Sequence, residues 1–205
     1  LMNIAFLAFN YLRPLGRDNI GFSAGILGNG FAVSAKALKK VPYNSFSIVE
    51  DLEYHPRLIR EDFRVEFLSG TTVWSDMPDN SEDAKSQRER WEGGRFRMIL
   101  DLAPKLLKDI AAGKLRLIEP LFELLLLPLT YHVLLVVLLL IVASGGLMTF
   151  AVFAFLVVVF HVFAAMFVGG ATKEDWRALF TAPFYMAWKL VNIGGILKTA
   201  RKNAS

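Results

Sequence analysis

Two apolar runs decide the architecture: LFELLLLPLTYHVLLVVLLLIVA at 121–143 and GLMTFAVFAFLVVVFHVFAAMFV at 146–168. A helix needs roughly 20 apolar residues to cross the hydrocarbon core, and each run reaches that length. Glu123 is the only formal charge in either run and sits near the edge of the first. The runs therefore predict a two-helix transmembrane hairpin over 121–168, turning at Ser144-Gly145-Gly146. No Lys or Arg lies in the turn. Lys105, Lys108, Lys114 and Arg116 precede the hairpin, and Lys173, Arg177 and Lys189 follow it. The positive-inside rule then puts both flanks, and both termini, in the cytoplasm.

The chain of 205 residues is 54% hydrophobic, above the share of an average soluble domain, which agrees with membrane residence. It has no cysteine, which excludes disulfides, thiolate catalysis and zinc–thiolate sites. The net charge is +4, with the basic residues gathered beside the apolar runs. That placement favours anionic lipid head groups over nucleic acid as the partner. The short apolar N-terminal stretch is followed by no small-residue cleavage site, so it does not read as a signal peptide. No internal repeat and no low-complexity tract occurs.

Residues 1–100 mix helical and strand patterns. Ile4, Phe6, Leu7, Tyr11 and Leu12 carry a helical period that Arg13-Pro14-Leu15-Gly16 should end. Residues 21–31 form a glycine-rich loop. A short helix is expected over Val33–Val41, stopping at Pro42. Another begins near Ile48 after Ser45 or Ser47, with Pro56 bending or shortening it. Residues 64–68 alternate like a strand, and 71–74 offer a second. Residues 76–83 look turn-like, and Glu82–Arg97 should be helical. Residues 101–120 interleave Leu102, Leu106, Leu107, Ile110, Leu115 and Ile118 with lysines, the pattern of an interfacial amphipathic helix. In 169–205, Thr172-x-x-Asp175 matches a capping box, opening a Trp- and Tyr-bearing interfacial segment with a tail.

Two clusters could carry chemistry. Glu50-Asp51 falls early in its expected helix, where free amide hydrogens favour an ionised carboxylate, the form a general base requires. The same acids could simply help the helix start. Gln87, Arg90 and Trp91 are spaced i, i+3, i+4 and so share one helical face. An Arg fork matches phosphate geometry, and an indole can stack on a sugar ring. The plainer reading is a solvated helix with Trp91 turned inward. His132 and His161 would lie at similar depth in the hairpin. Buried ionisable groups there are functional candidates, although neutral hydrogen-bonded imidazoles would serve equally.

The motifs together resemble the membrane-bound family 2 glycosyltransferases, which include cellulose, hyaluronan and chitin synthases and ceramide-glucosyltransferase-like enzymes. Gln87-Arg88-Glu89-Arg90-Trp91 matches that family's Gln-x-x-Arg-Trp motif. Val49-Glu50-Asp51 is similar to its Thr-Glu-Asp motif, with Val for Thr. Gly28-Asn29-Gly30-Phe31 resembles its small-residue acceptor loop. The resemblance implies an α/β fold: a partial GT-A-type catalytic domain over 1–100, followed by the interfacial helices and the hairpin. It implies Asp51 as catalytic base beside Glu50, Gln87 and Arg90 on the donor pyrophosphate, and Trp91 with Gly28, Asn29 and Gly30 at the acceptor. The expected reaction is inverting transfer from a nucleotide sugar, a uridine diphosphate sugar, to a lipid or polysaccharide acceptor in a bacterial-type inner membrane. The family's Asp-x-Asp metal motif is absent from the sequence. A divalent metal, Mg or Mn, is thus expected for a longer enzyme of which this chain is the acceptor-side and membrane half. The competing class is a non-catalytic membrane-anchored interaction module.

Overall fold

The computed structural model describes residues 1–45, 47, 49–74 and 81–191, without the side chains of Ser81, Ala84, Lys85, Arg88, Lys189, Leu190 and Val191. Helices α1 (Met2–Phe6) and α2 (Arg13–Asn19) flank a π-helical segment, Leu7–Leu12. They are followed by α3 (Ala35–Lys40), α4 (Glu50–Arg60), α5 (Ser81–Ala111), a 3₁₀ turn at Leu115–Leu117 and α6 (Ile118–Leu125). Then come α7 (Leu129–Val142), α8 (Gly146–Val168), α9 (Lys173–Leu179) and α10 (Ala182–Val191). Two compact units divide the chain: Leu1–Gly16 with Leu127–Val191, and Arg17–Leu126.

The fold expected from the sequence is corrected in two places. Among the described residues there is no strand, so 1–100 does not form an α/β GT-A-type domain. Residues 63–68 do alternate, with Phe63, Val65 and Phe67 half-buried and Arg64, Glu66 and Leu68 exposed. They lack a partner strand. Val65 receives one backbone bond, from Ala24 N–H (2.8 Å), and its own N–H goes to the Ser23 hydroxyl (3.0 Å). A side chain thus occupies the place of the next rung, and the ladder cannot propagate.

The second correction concerns the hairpin. Among the described residues only α8, of 23 residues, is by itself long and apolar enough to cross a membrane. The run 121–143 is broken at Leu126-Leu127-Pro128, which leaves α7 with 14 residues. Proline has no N–H to give and disfavours helical backbone at the residue before it. Leu126 (ψ 105°) and Pro128 (ψ 142°) are accordingly extended. With one such helix in place of two, the basic flanks no longer argue for both termini on the same side.

In the unit Leu1–Gly16 with Leu127–Val191, α8 packs on α7, on α1 and on the π-helical segment. Fully buried Ala8, Ala151 and Ala165 let the backbones approach closely. The turn between α7 and α8 places Gly145 at φ 55°, ψ −135°, a conformation closed to most side chains. Outward-facing Phe153, Phe160 and Phe167 are exposed. His132 Nδ1 lies 2.9 Å from the Leu127 carbonyl, a group left free by the helix break. No bond joins it to His161 among the described residues. Pro14 does not end the N-terminal helix. It falls in the first turn of α2, where a missing N–H is cheapest.

In the unit Arg17–Leu126, α5 extends well past the expected Glu82–Arg97. Its Met98, Leu102, Ala103 and Leu106 form one core with Val49 and Ile59 of α4 and Leu117, Leu121 and Leu124. Of the apolar stripe read as an interfacial helix, Leu102, Leu106 and Ile110 are thus spent on protein contacts, while Leu107, Leu115 and Ile118 are exposed. A second cluster joins Ile26, Ala37, Val41, Tyr54 and Leu58. Ser34 caps α3, accepting from Ala37 N–H at 3.2 Å. Pro56 falls inside α4, which continues to Arg60. The expected cap at Ser45 or Ser47 is not used: Val49 occupies the N-cap of α4 with no side-chain bond. Ile48, the expected start of that helix, and residues 76–80 of the expected turn lie outside the described residues.

The capping box forms as expected. Thr172 Oγ1 accepts from Asp175 N–H (3.3 Å), and the Asp175 carboxylate accepts from Thr172 N–H (2.9 Å) and from Asn3 Nδ2 (2.8 Å). The Thr172 backbone bond is the main reason the Asp175 carboxyl sits below the usual range, opposed by desolvation and aided by Asn3. A depressed folded value means stability that is complete above the unfolded value and lost as pH falls through the folded one. Asp175→Ala should thus destabilise by about 1 kcal/mol at neutral pH, a loss that shrinks towards pH 3 in denaturant titrations.

Candidate active site

The site begins at the start of α4. Glu50, Asp51 and Glu53 fill its first turn, where unpaired amide hydrogens attract carboxylates. Asp51 is held at both oxygens. Oδ1 accepts from Leu52 N–H at 2.8 Å and Oδ2 from Gly28 N–H at 3.1 Å. The structure thus joins two stretches singled out in the sequence, the acid pair and the small-residue loop. Gly28, Asn29 and Gly30 are all exposed beside it.

Burial raises the Asp51 carboxyl above its ordinary value. The Leu52 N–H lowers it, the Glu50 charge raises it further, and Gly28 N–H and Arg95 pull it down again. The net rise describes a carboxylate that is costly to ionise and correspondingly eager to take a proton.

Arg95 was not among the residues expected from the sequence. It belongs to a stripe of α5 made by Gln87, Trp91, Arg95, Met98 and Leu102, spaced within one helical face. Met98 and Leu102 share a core with Val49 and Leu52 at the start of α4. The same stripe, followed back towards the start of α5, carries Arg95, then Trp91 and Gln87. Arg95 Nη2 donates to the Glu123 carbonyl at 2.5 Å, and its Nε is buried with no hydrogen-bond partner among the described residues. Burial pulls its guanidinium below the ordinary value, countered by the charges of Glu123 and Asp51. Gln87 is half-buried, Arg90 exposed and Trp91 exposed. No hydrogen bond or ion pair joins these three to Asp51 among the described residues. Trp91, with 41% of its surface accessible, is not turned into the core.

Beneath the acid pair lies a buried polar cluster that the sequence reading also missed. Glu123 Oε2 meets Arg17 Nη1 at 2.6 Å and His55 Nδ1 at 3.3 Å, and Arg17 Nη2 binds Glu119 at 2.6 Å. His55 Nε2 lies 2.8 Å from the Ser23 hydroxyl. Gly25 (φ 87°) rests on the same carboxylate, and a Cβ there would stand 2.6 Å from Glu123 Oε1. Burial pulls the Arg17 guanidinium down, but the Glu123 charge and its bonds to both glutamates outweigh that and hold it above its ordinary value. The readable signal was Glu123 itself, one charge in a long apolar run. Serine, histidine and carboxylate stand in the order of a hydrolytic triad, yet Ser23 and His55 are 2% and 3% exposed, so no substrate reaches them.

The chain belongs to the glycosyl transferase family group 2, whose family model matches residues 5–168. It is a glycosyltransferase, and the family implies a nucleotide-sugar donor and an acceptor. Comparison with curated proteins gave no match, and neither did comparison with solved structures.

Two outcomes follow from this geometry. Because the folded Asp51 carboxyl is raised, the folded state binds its proton more tightly, so stability is lost as pH rises through the folded value. Asp51→Asn removes that cost: thermal unfolding at pH 7 should show a Tm equal to or above wild type. Glu123→Ala leaves Arg17 with Glu119 alone, opens a cavity under Gly25 and removes the carboxylate beside His55, and should destabilise by about 3 kcal/mol in chemical denaturation.

Proposed function

We propose that this glycosyltransferase moves a sugar from a uridine diphosphate sugar to a lipid or polysaccharide acceptor, inverting the anomeric carbon, at a membrane to which α8 ties it. The observation that carries the reading is Asp51: a partly desolvated carboxylate, anchored by Gly28 N–H and Leu52 N–H, at the edge of an exposed small-residue loop.

In the step, Asp51 takes the proton of an acceptor hydroxyl. The freed oxygen attacks the anomeric carbon and forms the new glycosidic bond as the bond to the diphosphate breaks. The nucleoside diphosphate leaves with the bonding pair. Negative charge builds on the departing oxygen, and Arg90 with Gln87 is the cation and donor pair assigned to it. Arg90 is exposed and makes no ion pair among the described residues, so its guanidinium is available to a ligand. Trp91 offers its exposed indole face to the acceptor sugar. Glu50, beside Asp51, keeps the base's proton affinity up.

The divalent metal expected for this chemistry has no fitting site here. Among the described residues no three His, Asp or Glu side chains gather to hold an ion, and no step is routed through one.

The test is transfer of labelled sugar by membranes that contain the full-length protein. Asp51→Asn and Arg90→Ala should each lower kcat by about a hundredfold with expression unchanged. Near-normal turnover in both would remove the assignment and leave a membrane-anchored binding module as the better account.

A further inference from the structure

Resting on the acceptor-side reading of the Gly28 loop and the acid pair, we propose that Tyr43, with Phe31, is an aromatic platform that binds a neutral sugar ring of the acceptor. Both rings are open to solvent, Phe31 at 40% and Tyr43 at 41% accessibility, and their centroids are 5.8 Å apart. Exposed aromatic side chains are ordinary on a protein surface. Aromatic side chains held rigid from below are not.

Tyr43 is fixed by the helix that carries the acid pair. Fully buried Tyr54 of α4 meets the Tyr43 ring edge-on at 4.9 Å, and its hydroxyl donates to the Val41 carbonyl at 2.7 Å. Arg57, one turn further along α4, donates to the Pro42 carbonyl at 2.8 Å and to the Ser45 hydroxyl at 3.3 Å. The backbone is therefore tied on both sides of Tyr43, at 41–42 and at 45. The entropy of ordering this loop is already spent before any ligand arrives, the condition under which a stacking face yields affinity. Phe31 extends the surface directly from the Gly28-Asn29-Gly30 loop.

Charge selects the occupant. The acids that act on the Tyr43 phenol are Glu50, Asp51 and Glu53, which with burial hold it above the ordinary tyrosine value. Two neighbouring cations are already engaged, though Lys39 is exposed. Arg57 is spent on the loop and lies 5.6 Å from the Tyr54 ring centroid, while Lys40 is paired with Glu61 at 3.0 Å. A diphosphate or an anionic lipid head group would meet repulsion here. A neutral sugar fits on both counts: its C–H face lies on the Tyr43 ring, the Phe31 ring tilted 56° to it forms a side wall, and its hydroxyls donate to the carboxylates. The platform and the Asp51 base then hold one acceptor between them, and the cationic Arg90 is left for the donor.

The experiment is saturation-transfer NMR on the full chain in detergent micelles, with cellotetraose, chitotetraose and maltotetraose as neutral probes and uridine diphosphate as control. At least one tetrasaccharide should bind wild type. Tyr43→Ala and Phe31→Ala should each weaken it about tenfold, the scale of one lost stacking face. Tyr43→Trp should restore it, and diphosphate binding should not change. The platform is overturned if no tetrasaccharide binds wild type, if Tyr43→Ala binds as wild type does, or if the variant instead loses binding to phosphatidylglycerol vesicles. Asp51→Asn separates this result from the preceding one. Sugar binding that survives alongside unimpaired transfer in Asp51→Asn would sink the assignment of the base while the platform stands.

Discussion

The carboxylate of Glu123 organises the unit Arg17–Leu126. It takes a salt bridge from Arg17 and stands against His55, while the main-chain oxygen of the same residue receives Arg95. Four segments far apart in sequence, α2, the Gly25 loop, α4 and α5, meet at this one residue. A charge placed there without partners would cost several kcal/mol to bury. The fold answers with Arg17, whose guanidinium bridges Glu123 and Glu119. Specific polar pairing of this kind sets register in a way that leucine against leucine does not.

Function is layered on that anchor. Arg95 touches the Glu123 carbonyl on one side and lies within electrostatic reach of Asp51 on the other. The base candidate is thus tuned by a residue fixed through the buried cluster. Asp51 in turn fastens the Gly28 loop, and α4 fastens the Tyr43 loop through Tyr54 and Arg57. One helix of 11 residues therefore carries an acid pair at its start and braces two surface loops around it. A carboxylate that is expensive to ionise lowers stability, and its place beside an exposed loop is the pattern expected where stability is traded for reactivity.

The unit that contains α8 follows a different logic. In the other unit the contacts are small residues and apolar faces, and the polar features are local: the capping box of α9 and the bond of His132 to a freed carbonyl. Phe153 and Phe160 of α8 are largely open, while Phe163 and Phe167 meet the ring of Trp176. Such a surface suits hydrocarbon, where apolar side chains need no protein cover.

The sequence alone was enough for the elements whose causes are local. The capping box, the stop of α3 before Pro42 and the helix carrying Gln87 to Trp91 were legible because a cap, a proline or a helical period acts over a few residues. So was the family, which the match over residues 5–168 shows, since a sequence pattern is a property of the chain. Tertiary structure alone decided the rest. The alternation at 63–68 is genuine, but a strand exists only with a neighbour, and Ser23 took that place. The 121–143 run is apolar enough, but Pro128 splits it and folding draws its first half, with Glu123, into a protein core. Arg95, Arg17, His55 and Tyr43 could not be found by pattern. Arg95, Arg17 and His55 find partners 28 to 106 positions away, and Tyr43 is braced by Tyr54 of the following helix, so their burial and charge are set only when the chain has closed upon itself.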